Sequence, residues 1–304
     1  MLTQEQRQQR QNGIGGSDAA SVLAQSDYRT PLDVYLDKKG ESEEFEGNNF
    51  TYFGNLLEPI LIQEYETRTK DKVETDLETF IHPEHSFMLA NLDGYIPSKK
   101  KIVEIKTCSQ YSDKKWGDAP NGRVPKEYLI QCAHYMAVLD ADSADIAVLI
   151  GGNDFRIYTI LRDKKLEEEL ISHEMSFWNN HVLKNNPPDP STYKEASNIW
   201  SQNELDDIKI ADLEIEILID KAITIKQEIK LLTQEERAIK LEILKYMKDS
   251  QSLVDGFGEV IATAKHSGRN SVDLIKLKAE HPDIHKQFSK YKPNRNLLIK
   301  KKKE

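Results

Sequence analysis

Asp93, Glu104 and Lys106 are the residues of this chain best placed to do chemistry. They lie in Leu92-Asp93-Gly94-Tyr95 and Val103-Glu104-Ile105-Lys106, two segments that read as strands around a short basic turn, Ser98-Lys99-Lys100-Lys101. Strand side chains alternate faces, so Glu104 and Lys106 share one face while Val103 and Ile105 take the other. Pairing of the two strands would bring Asp93 beside Glu104. Two acids and an ammonium on one sheet face are the arrangement expected for phosphodiester cleavage. The two carboxylates, with the Ile105 backbone carbonyl as a third oxygen, suit magnesium, a hard cation. Two ions would clamp the attacking and leaving oxygens together. Lys106 can orient or deprotonate the attacking water, or stabilise the developing charge, and the pattern does not choose among these roles. Other acid–lysine runs, such as Asp37-Lys38-Lys39 and Asp163-Lys164-Lys165, fall in predicted helix or loop and read as solvated charged faces.

Further candidates surround this trio. Glu58, in Phe53-Gly54-Asn55-Leu56-Leu57-Glu58-Pro59, reads either as a surface acid before a helix restart at Pro59 or as an extra carboxylate for the metal shell. Gln131, His134 and Tyr135 stand at i, i+3 and i+4 of a predicted helix and so share a face, as a core edge or as support for the site. Upstream, Arg10 precedes Gly13-Ile14-Gly15-Gly16-Ser17-Asp18. Glycines let a backbone approach a ligand, a helix capped by Ser17 offers amides to a phosphate, and Arg10 can complete an anion site. The bland alternative is an ordinary capped corner. The spacing matches neither a P-loop nor a dinucleotide fingerprint.

The elements that must position these residues follow from pattern. Helices are predicted over residues 2–12, 17–23, from Thr30-Pro31 onward, 53–67, 124–139 and 163–183, with strands over 73–80, 87–95, 102–107, 144–150 and 155–161. Gly151-Gly152-Asn153-Asp154 joins the last two strands as a hairpin. This order implies an α/β or α+β domain over residues 1–186, with a central sheet. Pro187-Pro188-Asp189-Pro190 marks a linker over 187–191. From 192 to 304 the chain reads as a largely helical, coiled-coil-like extension with a small α/β element and a basic tail. Its seam alternates steps of three and four from Ile208 to Tyr246, with Glu236 as a polar member. Thr233 and Glu236 form a capping-box pattern at which the helix can break and restart, so the form is a helical hairpin or one long helix packed on itself or on a neighbour.

Bulk properties narrow the class. The 304 residues are 38% hydrophobic and 31% charged, with net charge −9, so any nucleic-acid contact must come from a local basic surface. The only cysteines, Cys108 and Cys132, exclude a disulfide framework or a four-cysteine metal site built from one chain. No signal peptide or membrane span is read, so a reducing cytoplasm is the expected location.

Taken in order, Gly13 to Ala20, Tyr28 to Pro31, Gly54 to Pro59, Met88 to Gly94, Glu104 to Thr107, Gln131 to Tyr135 and Val148 to Gly152 closely resemble the YqaJ-type viral recombinase nucleases. These are related to lambda exonuclease and belong to the PD-(D/E)xK superfamily. The resemblance spans about residues 10–183. It implies a restriction-endonuclease-like core, a mixed central sheet flanked by helices, and a magnesium-dependent 5′-to-3′ exonuclease on linear double-stranded DNA. Such enzymes leave 3′ overhangs for recombination by single-strand annealing. By motif, Asp93 and Glu104 match the metal acids, Lys106 the catalytic lysine, Glu58 the helix acid and Gln131 the helix glutamine. Arg10 and Ser17 match residues that receive the 5′-phosphate, with a looser fit at the glycine pair. The resemblance further implies two metal ions (manganese being a substitute for magnesium), a RecT-type annealing partner, a bacterial host or prophage origin, and a ring trimer. Basic groups lining such a ring would reconcile the negative total charge with DNA binding. The competing expectations are an endonuclease of the same superfamily and a non-catalytic DNA-end adaptor.

Overall fold

A short strand, β1 (Ile14–Gly15), opens the first of two compact units, Met1–Ser191 and Thr192–Glu304, of the computed structural model. The structure describes residues 11–42, 47–120, 122–200, 208–265, 267–268, 271–289 and 295–300. Helix α1 (Gly16–Val22) follows, then α2 (Pro31–Lys39), begun by a reciprocal cap between Thr30 and Asp33 with Pro31 in the first turn. Helix α3 (Asn49–Thr69) runs through Pro59 without restarting. Pro59 has no N–H to offer the preceding turn, but the buried stripe Leu61, Ile62 and Tyr65 holds the helix against the sheet.

Two sheets follow. In the smaller, β1 pairs in parallel with β3 (Met88–Ala90), and β2 (Phe80–Ile81) pairs antiparallel on its other side. The larger is mixed, in the order β4 (Gly94–Ile96), β5 (Lys101–Cys108), β6 (Ser143–Ile150), β7 (Asp154–Leu161). Its β5–β6 pair is parallel, bridged by the crossover helix α4 (Lys126–Leu139), and its outer pairs are antiparallel. Helix α5 (Lys164–Phe177) then continues into a π-helical turn, Trp178–Val182.

The alternation expected of β5 sorts its two faces. Val103 and Ile105 pack with Leu61, Ile62 and Tyr65 of α3. Ile102 packs with Cys132, Tyr135 and Met136 of α4. The first unit is thus an α/β fold whose central mixed sheet is flanked by helices.

Two predicted strands differ. Residues 87–95 form two strands in separate sheets, because the chain leaves β3 at Asn91 and enters β4 at Gly94. Of 73–80, only Glu74 bridges Tyr95, and the strand β2 begins at Phe80. Gly94 is needed here: a Cβ would stand 2.3 Å from Val73 Cγ1.

In the second unit, α6 (Tyr193–Ile199) is followed by α7 (Leu213–Met247), the hairpin β8 (Ser252–Val254) and β9 (Val260–Thr263), then α8 (Leu274–Glu280) and α9 (Pro282–Phe288). Helix α7 is unbroken over 35 residues. Of the two alternatives the long helix is the one found: the Thr233 hydroxyl donates to the Ile229 carbonyl (2.7 Å) and Glu236 pairs with Lys240, so neither side chain caps. Its seam residues Leu218, Ile225, Leu232 and Ile239 are exposed.

Candidate active site

Strand β5 carries the centre of the site. The ladder to β4 pairs Gly94 with Val103, so Asp93 leaves the sheet one step further, level with Glu104. Its carboxylate accepts the Ile105 N–H at 2.8 Å, taking the place of a backbone acceptor at the end of the ladder. The carbonyl of a strand residue points to the same edge as its N–H, so the Ile105 carbonyl also faces Asp93. Glu104 and Lys106 point to the opposite sheet face from Ile105, toward α4. The Lys106 ammonium donates to Glu104 Oε1, and Gln131 Nε2 donates to the same oxygen at 2.7 Å. Glu104 Oε2 is buried without a hydrogen-bond partner.

The structure therefore brings Asp93, Glu104, Lys106 and Gln131 together. Glu58, on α3, senses Asp93, Lys106 and Asp76 electrostatically. Three acids facing one ammonium cannot all ionise easily in a buried space. Burial first, then Asp93, pushes the half-buried Glu58 carboxyl up to about 7. The same two causes raise the pKa of Glu104. Asp93 is raised by burial against the lowering effects of Lys106 and the Ile105 amide. Burial works against the Lys106 ammonium, but Glu104 and Asp93 outweigh it and raise its pKa above that of an ordinary lysine.

These donors fit a hard divalent cation. They offer carboxylate oxygens, a backbone carbonyl at the same edge and one buried carboxylate oxygen still lacking a partner. Among the described residues no three His, Cys, Asp or Glu side chains already stand as a closed ligand set. Lys106 and Gln131 both hold Glu104 Oε1, which leaves Oε2 open to an ion; a cation there would compete with Lys106 for the charge of the carboxylate.

Tyr135 and His134 separate. The Gln131 side chain donates to the Tyr135 hydroxyl (3.1 Å), so Tyr135 braces the residue that holds Glu104. His134 lies on the far side: Nδ1 pairs with Glu174 of α5 at 2.8 Å and Nε2 with the Leu89 carbonyl at 3.0 Å. Histidine and glutamate are both fully buried, and none of these contacts reaches the acids. Three- and four-residue spacing grouped His134 with Gln131 and Tyr135 but did not reveal that β3 and α5 flank it.

The N-terminal constellation also differs from expectation. The N-cap of α1 is Gly15, and the Asp18 carboxylate accepts its N–H (3.3 Å), so Ser17 sits inside the first turn and is exposed. Asp18 is buried against Lys38 (2.6 Å) and Arg29 (2.8 Å). Gly16 packs on the site's own support: a Cβ there would stand 2.4 Å from Tyr135 Cε1. Arg10 lies outside the described residues.

One neighbour of Lys106 escaped the sequence reading. The Tyr128 ring centroid lies 5.1 Å from Lys106 Nζ. Its position three residues before Gln131 on α4 was the available signal.

The sequence model of the YqaJ-like viral recombinase domain matches residues 6–142, which include all four clustered residues. YqaJ of Bacillus subtilis (strain 168) is 35% identical over 307 residues, covering 96% of this chain and 92% of that protein. Among solved structures, the alkaline exonuclease LHK-Exo from Laribacter hongkongensis superposes with a TM-score of 0.50 at 18% identity, over 60% of this chain and 94% of that one. The structural likeness gives the fold, a mixed sheet between helices. The near full-length relative and the matched domain give the kinship: the chain belongs to the YqaJ-like viral recombinase family.

Proposed function

We propose that the chain is a metal-dependent deoxyribonuclease that digests linear double-stranded DNA from 5′ ends and leaves 3′ overhangs for recombination by single-strand annealing. The observation that carries this reading is the cluster of the buried Glu104 with the partly buried Asp93 and Lys106, with one Glu104 oxygen unpartnered. Asp93, Glu104 and the Ile105 carbonyl would hold the metal, with Glu58 completing the shell. Magnesium, probed as one or two ions and replaceable by manganese, would supply Lewis acidity and a more acidic bound water.

The residues of the chain do the rest. Gln131 fixes Glu104 and is itself fixed by Tyr135. Lys106, once released from Glu104, is within reach of a water or of a nonbridging phosphate oxygen. Arg10 and Ser17 are assigned to the terminal 5′-phosphate. A homo-oligomeric ring, a RecT-type annealing protein as partner and a cytoplasmic setting complete the proposal. Among the described residues no helix is long and apolar enough to cross a membrane.

Digestion of end-labelled linear duplexes, with and without a 5′-phosphate, tests this reading beside covalently closed circles. The expected result is magnesium-dependent loss of the 5′-ended strand, fastest with the phosphate, and intact circles. Nicking of the circles would convert the reading to an endonuclease. Binding to ends without hydrolysis would convert it to an adaptor.

A further inference from the structure

Among the described residues the Lys106 ammonium has two contacts of different kinds. One is the Glu104 carboxylate, which the proposed metal would claim. The other is the face of Tyr128, whose centroid lies 5.1 Å from Nζ, within the range at which a ring quadrupole attracts a cation. That ring does not stand alone. It stacks on the buried Trp116 (5.7 Å between centroids, 24° between planes), and Trp116 packs on the fully buried Tyr158 of β7 (5.4 Å). The Tyr158 hydroxyl donates to the Gly117 carbonyl, which ties the far end of the column to the loop after β5. Three aromatic rings thus run from β7 to the site and end on the lysine.

A lysine side chain is a flexible stem with a point charge at its tip. When Glu104 turns to a cation, its hold on the ammonium weakens, and the Tyr128 face is the remaining contact. We infer that Tyr128 is a positioning residue: its braced ring face keeps the Lys106 ammonium aimed at the reacting phosphate after Glu104 has been given over to the metal. This inference rests on the nuclease reading above and names a residue that reading does not use.

Two measurements on the full-length protein test it. The first needs neither metal nor DNA. With lysine labelled at Cε, the Lys106 methylene signal, assigned by its loss in Lys106→Arg, is expected to lie upfield from ring current. The displacement should persist in Tyr128→Phe and vanish in Tyr128→Leu. The second is single-turnover digestion of a linear duplex. Tyr128→Phe should keep the rate within about threefold. Tyr128→Leu should lower it about five- to thirtyfold, the kinetic equivalent of a desolvated cation–ring contact, with KM and divalent-ion affinity unchanged. An ordinary Lys106 signal in the native protein overturns the inference. So does a Phe variant as slow as the Leu variant, which would transfer the role to the hydroxyl, and so does a Leu variant that raises KM and leaves the rate alone. Lys106→Ala separates the levels: no digestion by the native protein with either ion sinks the nuclease reading itself, full activity in Lys106→Ala removes the lysine and with it the role of the ring, and a slow Lys106→Ala beside a fast Tyr128→Leu sinks only the role of the ring.

Discussion

Binding of a divalent ion to this site should expel protons, and the number follows from the charges present. Glu58, Asp93 and Glu104 share the space with a single ammonium, Lys106. Burial and mutual repulsion raise the pKa of both glutamates, each to about 7. At pH 7 each is therefore about half protonated, and an ion that fixes both as carboxylates releases about one proton. Glu58 is only half-buried, and solvent screening trims its share, so the count falls between about one half and one. The sign is fixed: an acid with a raised pKa keeps its proton at low pH, so affinity must climb as pH rises. Near pH 6 release should rise to between about one and two protons, and by pH 8.5 it should nearly vanish. Calorimetric titration with magnesium, in paired buffers of different ionisation enthalpy, reads the count from the slope of heat against that enthalpy. The Lys106→Ala variant is a useful companion, since loss of its ammonium should increase release. A heat independent of buffer at pH 7 would refute the argument that these acids repel one another in a shared site.

Two further outcomes concern the support around the site. His134→Phe leaves Glu174 buried without its partner, a loss of about 3–5 kcal/mol in urea denaturation at neutral pH. Burial opposes the His134 charge, but Glu174 raises the pKa above the ordinary 6.5. Stability from this pair is therefore complete below about pH 6.5 and lost as pH rises through the folded value, a fall that His134→Phe should lack. Gly16→Ala forces the Tyr135 ring to move, at a cost of about 1–3 kcal/mol in thermal or urea melts. Wild-type stability in that variant would show that the ring yields freely.

The residues differ in how far sequence revealed them. Glu104 and Lys106 were legible because strand alternation is local and β5 is a long buried strand with polar residues on one face. Asp93 was legible from its Asp-Gly at the start of the partner strand. Gln131 and Tyr135 were legible from helical spacing, since both face β5. The division of 87–95 was not, because β3 is fixed by pairing with Ile14 and Gly15 and β4 by pairing with β5, contacts distant in sequence. The partner of His134 was hidden for the same reason, lying 40 residues away on α5. Ser17 was misread as a cap because serine and aspartate are both good caps, and Asp18 reaches back to Gly15 instead. At Thr233 the capping-box pattern lost to a continuous helix in which the hydroxyl bonds its own preceding turn.

The central claim is that Asp93, Glu104 and Lys106 converge to hold a divalent cation against a phosphodiester. Crystals soaked in manganese, with data collected at its absorption edge, address this directly. The account predicts an anomalous peak bonded to carboxylate oxygens of both Asp93 and Glu104, with Lys106 drawn off Glu104 and lying over Tyr128. A saturating soak that leaves Lys106 on Glu104 and puts no peak between the two acids would contradict it.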